Sequence, residues 1–203
     1  MNHSEQTFIA VKSESIQRGL ISEFISRFER RGLKLVACKM VVPNKDLLEK
    51  HYFKTDEWMT RQGNLYIEAL KGQGKETSET ALELGRKLQQ GLVQSFLNKP
   101  VLAMIWEGVN AVALGRKTVG ATDVMKADIG SIRGDYMLDS LELAHDIVRP
   151  MRTLVHASGT VDEAKDEIKI WFATKEVVSY PLFFEEILYH NNWGQCLNLE
   201  GKV

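Results

Sequence analysis

The sequence predicts an α+β domain in which amphipathic helices lie on an antiparallel sheet. Four short apolar runs rich in β-branched and aromatic residues, TFIAVK, LKLVACKMVV, VLAMIW and TLVH, have the composition and length of buried strands. Helical stripes fall among them in the order strand, helix, strand, then strand, and finally strand and helix. The length, 203 residues, fits one domain of roughly 100 to 200 residues with some surplus better than two independent folds.

The first strand, Thr7 to Lys12, ends in a lysine, which places a cation at a strand end. From Gln17 to Arg31, Leu20, Ile21, Phe24 and Phe28 recur at helical spacing, and Gly32 follows where a C-terminal cap is expected. Leu33 to Val42 is apolar on both faces through its middle, as in a central strand, and Pro43 stops it. Cys38 lies inside this run, where a small buried thiol is expected. Asp46 to Tyr52 reads as a short helix, and the polar, glycine-bearing stretch Lys71 to Ser78 as a loop. Leu84, Leu88, Leu92 and Phe96 mark one face of a long helix ending near Asn98 and Pro100. After the third strand, Val101 to Trp106, the span Gly115 to Gly134 combines glycines and basic residues with little periodicity, and reads as a long functional loop. Leu138 to Val148 reads as a helix stopped by Pro150, and Thr153 to His156 as the fourth strand. Thr160 and Glu163 have capping-box spacing, and Val161, Ala164, Ile168 and Trp171 line one face of the helix they open.

Hydrophobic residues make up 44% of the chain and charged residues 26%, which excludes collagen-like, low-complexity and wholly disordered classes. Lys and Arg number 26 against 27 Asp and Glu, so the net charge of -1 gives no general attraction to nucleic acid or an acidic membrane. Any bound anion must be met by a local cluster of cations. No stretch approaches the ~18 uninterrupted apolar residues of a membrane span, and MNHSEQTFIAVK does not read as a secretory leader. Cys38 and Cys196 stand too far apart for a zinc motif, and a reducing, cytoplasmic setting is expected.

The usual enzyme signatures are missing. The loop GQGKE resembles a phosphate loop, but that motif needs Gly at position 69 and Ser or Thr at 76, where Ala69 and Glu76 stand. What remains is a set of groups suited to anions: Lys12, Arg116, Thr122 and Arg133. Arginine forks and a lysine point charge are what a polyphosphate requires, because only charge-assisted hydrogen bonds offset the stripping of water from several negative oxygens. His156 ends an apolar run among the small residues Ala157, Ser158 and Gly159, so a bulky ligand can approach it. With an unperturbed pKa of about 6.5 its imidazole is mostly neutral at pH 7, which suits a nucleophile. Glu167 lies two helical turns after Thr160, within reach of the histidine's other nitrogen.

TFIAVK, QRGLI, RGLKLVACKM, DLLEKHY, VLAMIWEG with VNAV, ALGRKTVGATD, SIRGDY, LVHAS and VDEAKDEIKIWF, in this order, together resemble the nucleoside diphosphate kinase family over well over half of the chain. The resemblance implies a ferredoxin-like α/β sandwich with a four-stranded antiparallel sheet, assembled into hexamers or smaller dimer-based oligomers. It implies transfer of the γ-phosphate of a nucleoside triphosphate to a nucleoside diphosphate by a ping-pong route, with His156 phosphorylated in between. Ser158 and Glu167 match the residues that hold the histidine, and Tyr52 the tyrosine beside it. Lys12, Arg116, Thr122 and Arg133 match the groups that meet the phosphates. Mg²⁺ is implied, held mainly by phosphate oxygens and water rather than by protein ligands.

Several positions depart from the family pattern. Gly159 stands where the family has an aspartate that helps organise metal-bound water, and Thr153 where an asparagine commonly meets the sugar and phosphates. Val124 replaces a loop proline, and Lys12-Ser13-Glu14 replaces lysine-proline-aspartate. These motivate an alternative reading, a catalytically weakened nucleotide-binding or interaction module of the same fold. The surplus length reads as two insertions in a single domain spanning residues 1–203, near 71–98 and 137–151. Trp58 is a candidate for stacking on the base.

Overall fold

The computed structural model describes residues 4–52, 55–72, 74–146, 149–182 and 185. Four strands, β1 (Ser4–Val11), β2 (Lys34–Val41), β3 (Val101–Val109) and β4 (Val155–Ala157), form one sheet in the order β2-β3-β1-β4. All three pairings are antiparallel, with Ala10 opposite both Ala103 of β3 and His156 of β4. With helices entering after β1 and after β3, this is the ferredoxin-like arrangement.

Helices cover both faces of the sheet, which explains why its strands read as nearly continuous apolar runs. Ile9 and Val11 of β1 point into one core with Phe24, Phe28, Met104 and Trp106. Phe8 and Ala10 point into the other with Phe96, Ile105 and Trp171. The first core is covered by α2 (Ile21–Arg30) and α6 (Ala111–Val119), the second by α3 (Lys45–His51), α5 (Ala81–Phe96) and α9 (Val161–Trp171). Each fully buried large side chain contributes about 1.5 to 3 kcal/mol of transfer free energy.

The strands fall close to their expected positions, and several other expectations are corrected. The helix expected from Gln17 begins only at Ile21, as α2; Gln17 ends a separate short helix, α1 (Ser13–Gln17), and Gly19 at φ +69 breaks the chain between them. The β2 strand is an edge strand, not a central one. A β-bulge between Leu35 and Ala37 turns both Val36 and Ala37 into the core and leaves Cys38 exposed beyond it, so the thiol is not buried as expected. The span from Gly115 is no continuous loop: α6 runs to Val119, and α7 (Ile132–Tyr136) opens on a Ser131 cap. Val161 is exposed, although Ala164 and Trp171 of the same expected stripe are buried. The helix α8 is described over Leu141–Asp146; Val148 and Cys196 lie outside the described residues.

Two further segments pack against α5. α4 (Asp56–Gly72), which the sequence reading left unassigned, packs antiparallel on α5. The helices approach closely because Gly63 faces the Ala81 backbone and Gly85 faces the Met59 backbone, leaving no space for a Cβ at either glycine. The second segment is closed by Arg149, whose guanidinium grips the Asp139 carboxylate at 2.5 and 2.9 Å. It docks on α5 where Gly91 receives the Pro150 ring. No described helix is long and apolar enough to cross a membrane.

Candidate active site

A cavity of about 280 Å³ opens where the C-terminal end of β1, the strand β4 and the start of α9 meet, and His156 lines it. Leu154, just before β4, is held at φ +65, a costly conformation for a non-glycine residue. Its carbonyl accepts from the Lys12 backbone N–H at 2.9 Å and from the Ser15 hydroxyl at 2.8 Å, which pins the kink. The kink sets Thr153 and His156 on the cavity wall beside the Lys12 side chain.

The histidine is held from behind. Glu167, 4% exposed, accepts from His156 Nε2 at 2.7 Å and from the Ser158 hydroxyl at 2.5 Å. A carboxylate can only accept, so Nε2 carries the proton and the ring's lone pair lies at Nδ1. Ser158 is itself fixed to β1, accepting from the Phe8 N–H at 3.2 Å.

The sequence reading missed His51. Its ring stands edge-on to that of His156 with centroids 4.7 Å apart, and Trp171 Nε1 donates to its Nδ1 at 3.2 Å. Its neighbour Tyr52 is buried, and burial raises the phenol pKa well above its ordinary value, so Tyr52 stays protonated. The signal for His51 was only its place before Tyr52 at a helix end. Donor atoms of His51, His156 and Glu167 approach within 4.8 Å of one another, as in a metal site. The Trp171 indole takes the His51 Nδ1 lone pair, and His156 turns its Nε2 proton rather than a lone pair toward Glu167.

The phosphate-type residues expected from the sequence converge on the same cavity: Lys12, Arg116, Thr122, Arg133 and Thr153 line it, as do Tyr52 and Trp58. Arg133 is nearly buried and tied to the wall, donating to the carbonyls of Gly120 (2.8 Å), Thr153 (3.2 Å) and Val155 (2.9 Å) and to the Thr122 hydroxyl (3.3 Å). It therefore clamps the loop after α6 to the approach to β4 while supplying fixed positive charge. Burial and the neighbouring Arg116 lower its pKa to about 10, so it stays charged at neutral pH. Arg116 presents an exposed guanidinium from the last turn of α6. Trp58 of α4, Leu92 of α5 and Met151, on the approach to β4, make an apolar wall at the same cavity.

Lys12 Nζ donates to Thr153 Oγ1 at 2.9 Å and lies 4.9 Å from the Phe96 ring centroid. Burial, aided by Arg133 and Lys99 and opposed by Glu14, lowers its pKa to about 8. Lowering a lysine pKa means that its charge is lost as pH rises through that value. Catalytic efficiency toward a polyphosphate substrate is therefore expected to fall above about pH 8, a limb that a pH profile of kcat/KM measures directly in the free enzyme. Bound phosphate favours the charged form, so the limb in kcat lies at higher pH. A flat kcat/KM profile through pH 9 contradicts this assignment.

The capping box expected at Thr160 is half formed. Thr160 Oγ1 accepts from the Glu163 N–H at 3.1 Å, but the Glu163 carboxylate accepts from the Gly159 N–H at 2.8 Å and lines the cavity.

Comparison with known proteins bears on the same residues. A family model described as nucleoside diphosphate kinase matches residues 5–63 and 80–177, leaving out 64–79 within α4 and the loop after it. The chain is 39% identical over 188 residues to nucleoside diphosphate kinase III, chloroplastic/mitochondrial, of Arabidopsis thaliana, covering 93% of this chain and 63% of the relative. It is 38% identical to a nucleoside diphosphate kinase of Pyrobaculum aerophilum, covering 86% of this chain and 98% of that protein. A crystal structure of an NDP kinase from the same archaeon superposes with a TM-score of 0.83 at 36% identity, over 87% of this chain and 100% of that one. The Borrelia burgdorferi nucleoside-diphosphate kinase, as a transition state mimic with vanadate and ADP, gives a TM-score of 0.76 at 31% identity over 92% and 98% of the two chains.

Proposed function

This chain belongs to the nucleoside diphosphate kinase family, and on that premise we propose that it passes the γ-phosphate of a nucleoside triphosphate to a nucleoside diphosphate through His156. The observation that carries the reading is the hydrogen bond between His156 Nε2 and Glu167. Glu167 fixes the proton on Nε2, so Nδ1 holds its lone pair in a cavity walled by Lys12, Arg116 and Arg133.

In the first half-reaction the Nδ1 lone pair attacks the γ-phosphorus. An N–P bond forms, the bond to the bridging oxygen breaks, and its electron pair leaves on the β-phosphate of the diphosphate product. Positive charge develops on the imidazole and is met by Glu167, whose second oxygen is held by Ser158. Lys12, Arg116 and Arg133 spread the phosphate charge, and little further covalent work falls to the protein. In the second half-reaction a terminal oxygen of another diphosphate attacks the same phosphorus, and Nδ1 recovers its pair. One cavity serves donor and acceptor in turn.

Magnesium fits this cavity as an ion brought in by the nucleotide: the wall offers the Glu163 carboxylate, while His51 Nδ1 and Glu167 are hydrogen-bonded to Trp171, His156 and Ser158. When bound, magnesium neutralises charge between phosphate oxygens. The apolar wall of Trp58, Leu92 and Met151 gives the base a surface to stack on, with few hydrogen bonds to tell one base from another. Thr153 keeps Lys12 in place through its hydroxyl, so its departure from asparagine leaves the phosphate end assembled and does not favour a weakened module. The surplus segments near 71–98 and 137–151 are part of one domain with this site. Exposed Met125 and Ile129, 84% and 94% accessible, suit burial between copies in an oligomer.

The decisive test is to incubate the protein with γ-labelled ATP and Mg²⁺ and then chase with a different nucleoside diphosphate. Label bound to protein, labile in acid and released as the new triphosphate, is the expected result. Release of label only as inorganic phosphate, or none on the protein, overturns the reading.

A further inference from the structure

Besides Glu167, which is engaged behind His156, a second carboxylate on the cavity wall has the wrong sign for a phosphate site. Glu163, in the first turn of α9, turns its carboxylate back toward Gly159 and into the cavity that Lys12, Arg116 and Arg133 line. A carboxylate there repels a bare polyphosphate and weakens the cations meant for it. The placement is built in: a Cβ on Gly159 would lie 2.5 Å from Glu163 Oε2 and 3.8 Å from an Arg116 nitrogen. The carboxylate oxygen thus fills the volume into which a side chain at 159 would project, and glycine at 159 is what lets Glu163 reach it.

An anion fixed among phosphate-binding cations is favourable when the substrate brings positive charge of its own. We propose that Glu163 is a metal-positioning residue: its carboxylate accepts hydrogen bonds from the water shell of the magnesium ion carried by the nucleotide. Magnesium keeps several waters when phosphates bind it, and a carboxylate beyond those waters orients them without direct coordination. The loop thereby gives up its own acid, and the helix supplies one to the same space. The inference rests on the nucleotide reading above.

The test measures metal binding rather than turnover. Glu163→Gln keeps an oxygen acceptor for the Gly159 N–H and removes only the charge. Mn²⁺, a paramagnetic stand-in for magnesium, is titrated into the protein–ADP complex and followed by electron paramagnetic resonance, while metal-free ADP binding is measured by calorimetry. In the Gln variant Mn²⁺ binding is expected to weaken about tenfold, the lower end for lost outer-shell partners. Metal-free ADP binding is expected to stay equal or tighten, since a repulsive charge is gone. The double variant Gly159→Asp with Glu163→Ser returns a carboxylate to the same volume, and should restore Mn²⁺ affinity to within about threefold. Unchanged Mn²⁺ affinity in Glu163→Gln overturns the proposal. So does a loss of metal-free ADP binding, which marks a structural role through Gly159 and Arg116. Failure of the unsubstituted protein to bind ADP at all overturns the nucleotide reading together with it.

Discussion

His156→Gln is expected to abolish the phosphoenzyme and to lower turnover by a factor of at least about 10⁴, the scale on which covalent catalysis is lost with its nucleophile. The glutamine amide can still donate to Glu167, so the buried carboxylate keeps a partner and the fold is disturbed little. It has no nitrogen lone pair able to form a stable bond to phosphorus. The cations are untouched, because Lys12 is held by Thr153 and Arg133 by the carbonyls of Gly120, Thr153 and Val155. ADP affinity is therefore expected to remain within a few-fold of the unsubstituted protein while chemistry disappears. Intact-protein mass measurement after ATP treatment, a coupled turnover assay and ADP calorimetry check the three parts. Turnover above about one per cent shows that the phosphate does not pass through this histidine.

What the sequence made legible and what it hid divide along physical lines. The strands were readable because both faces of the sheet are buried, so β1 and β3 carry apolar runs, Phe8 to Val11 and Val101 to Trp106. The same rule misplaced β2: its apolar middle comes from a bulge that turns Val36 and Ala37 together into one core, and pattern alone cannot tell that from burial on two faces. The relation of His156 to Glu167 was legible because helical geometry fixes which residues of α9 face β4. His51 was not, since the contact that gives it meaning, a hydrogen bond from Trp171, spans 120 residues. Arg116 was found as a residue but placed on a loop, because the glycines at 115 and 120 mask a helix whose Gly115 faces Thr7, with a Cβ there 3.4 Å from its methyl group. Glu163 was read as half of a cap. Its backbone fills that role, while its side chain answers to Gly159, a partner no spacing rule names.

Glu167→Gln separates the charge behind the histidine from its geometry. The amide oxygen can accept from His156 Nε2, so the tautomer with its lone pair at Nδ1 survives, and the amide nitrogen can donate to Ser158 Oγ, whose proton turns to the Phe8 carbonyl 3.3 Å away. What is lost is the negative charge that answers the imidazole as it bonds to phosphorus. In a site where Glu167 is 4% exposed, that charge acts with little screening, and its removal is expected to slow phosphoenzyme formation about a hundredfold, roughly 2.7 kcal/mol of barrier. ADP binding should not change, because Glu167 stands behind the ring and away from the phosphate cations. Glu167→Ala is the harsher case: the Ser158 hydroxyl can still turn to the Phe8 carbonyl, but the His156 N–H loses its acceptor, an unpaired donor that costs about 1 to 3 kcal/mol, so stability falls along with rate. Rapid-quench measurement of the label-transfer step, set beside thermal unfolding of both variants, distinguishes the two. Equal rates for Glu167→Gln and the unsubstituted protein require that Glu167 only holds the ring in place; a slow Gln variant with unchanged melting assigns it the charge.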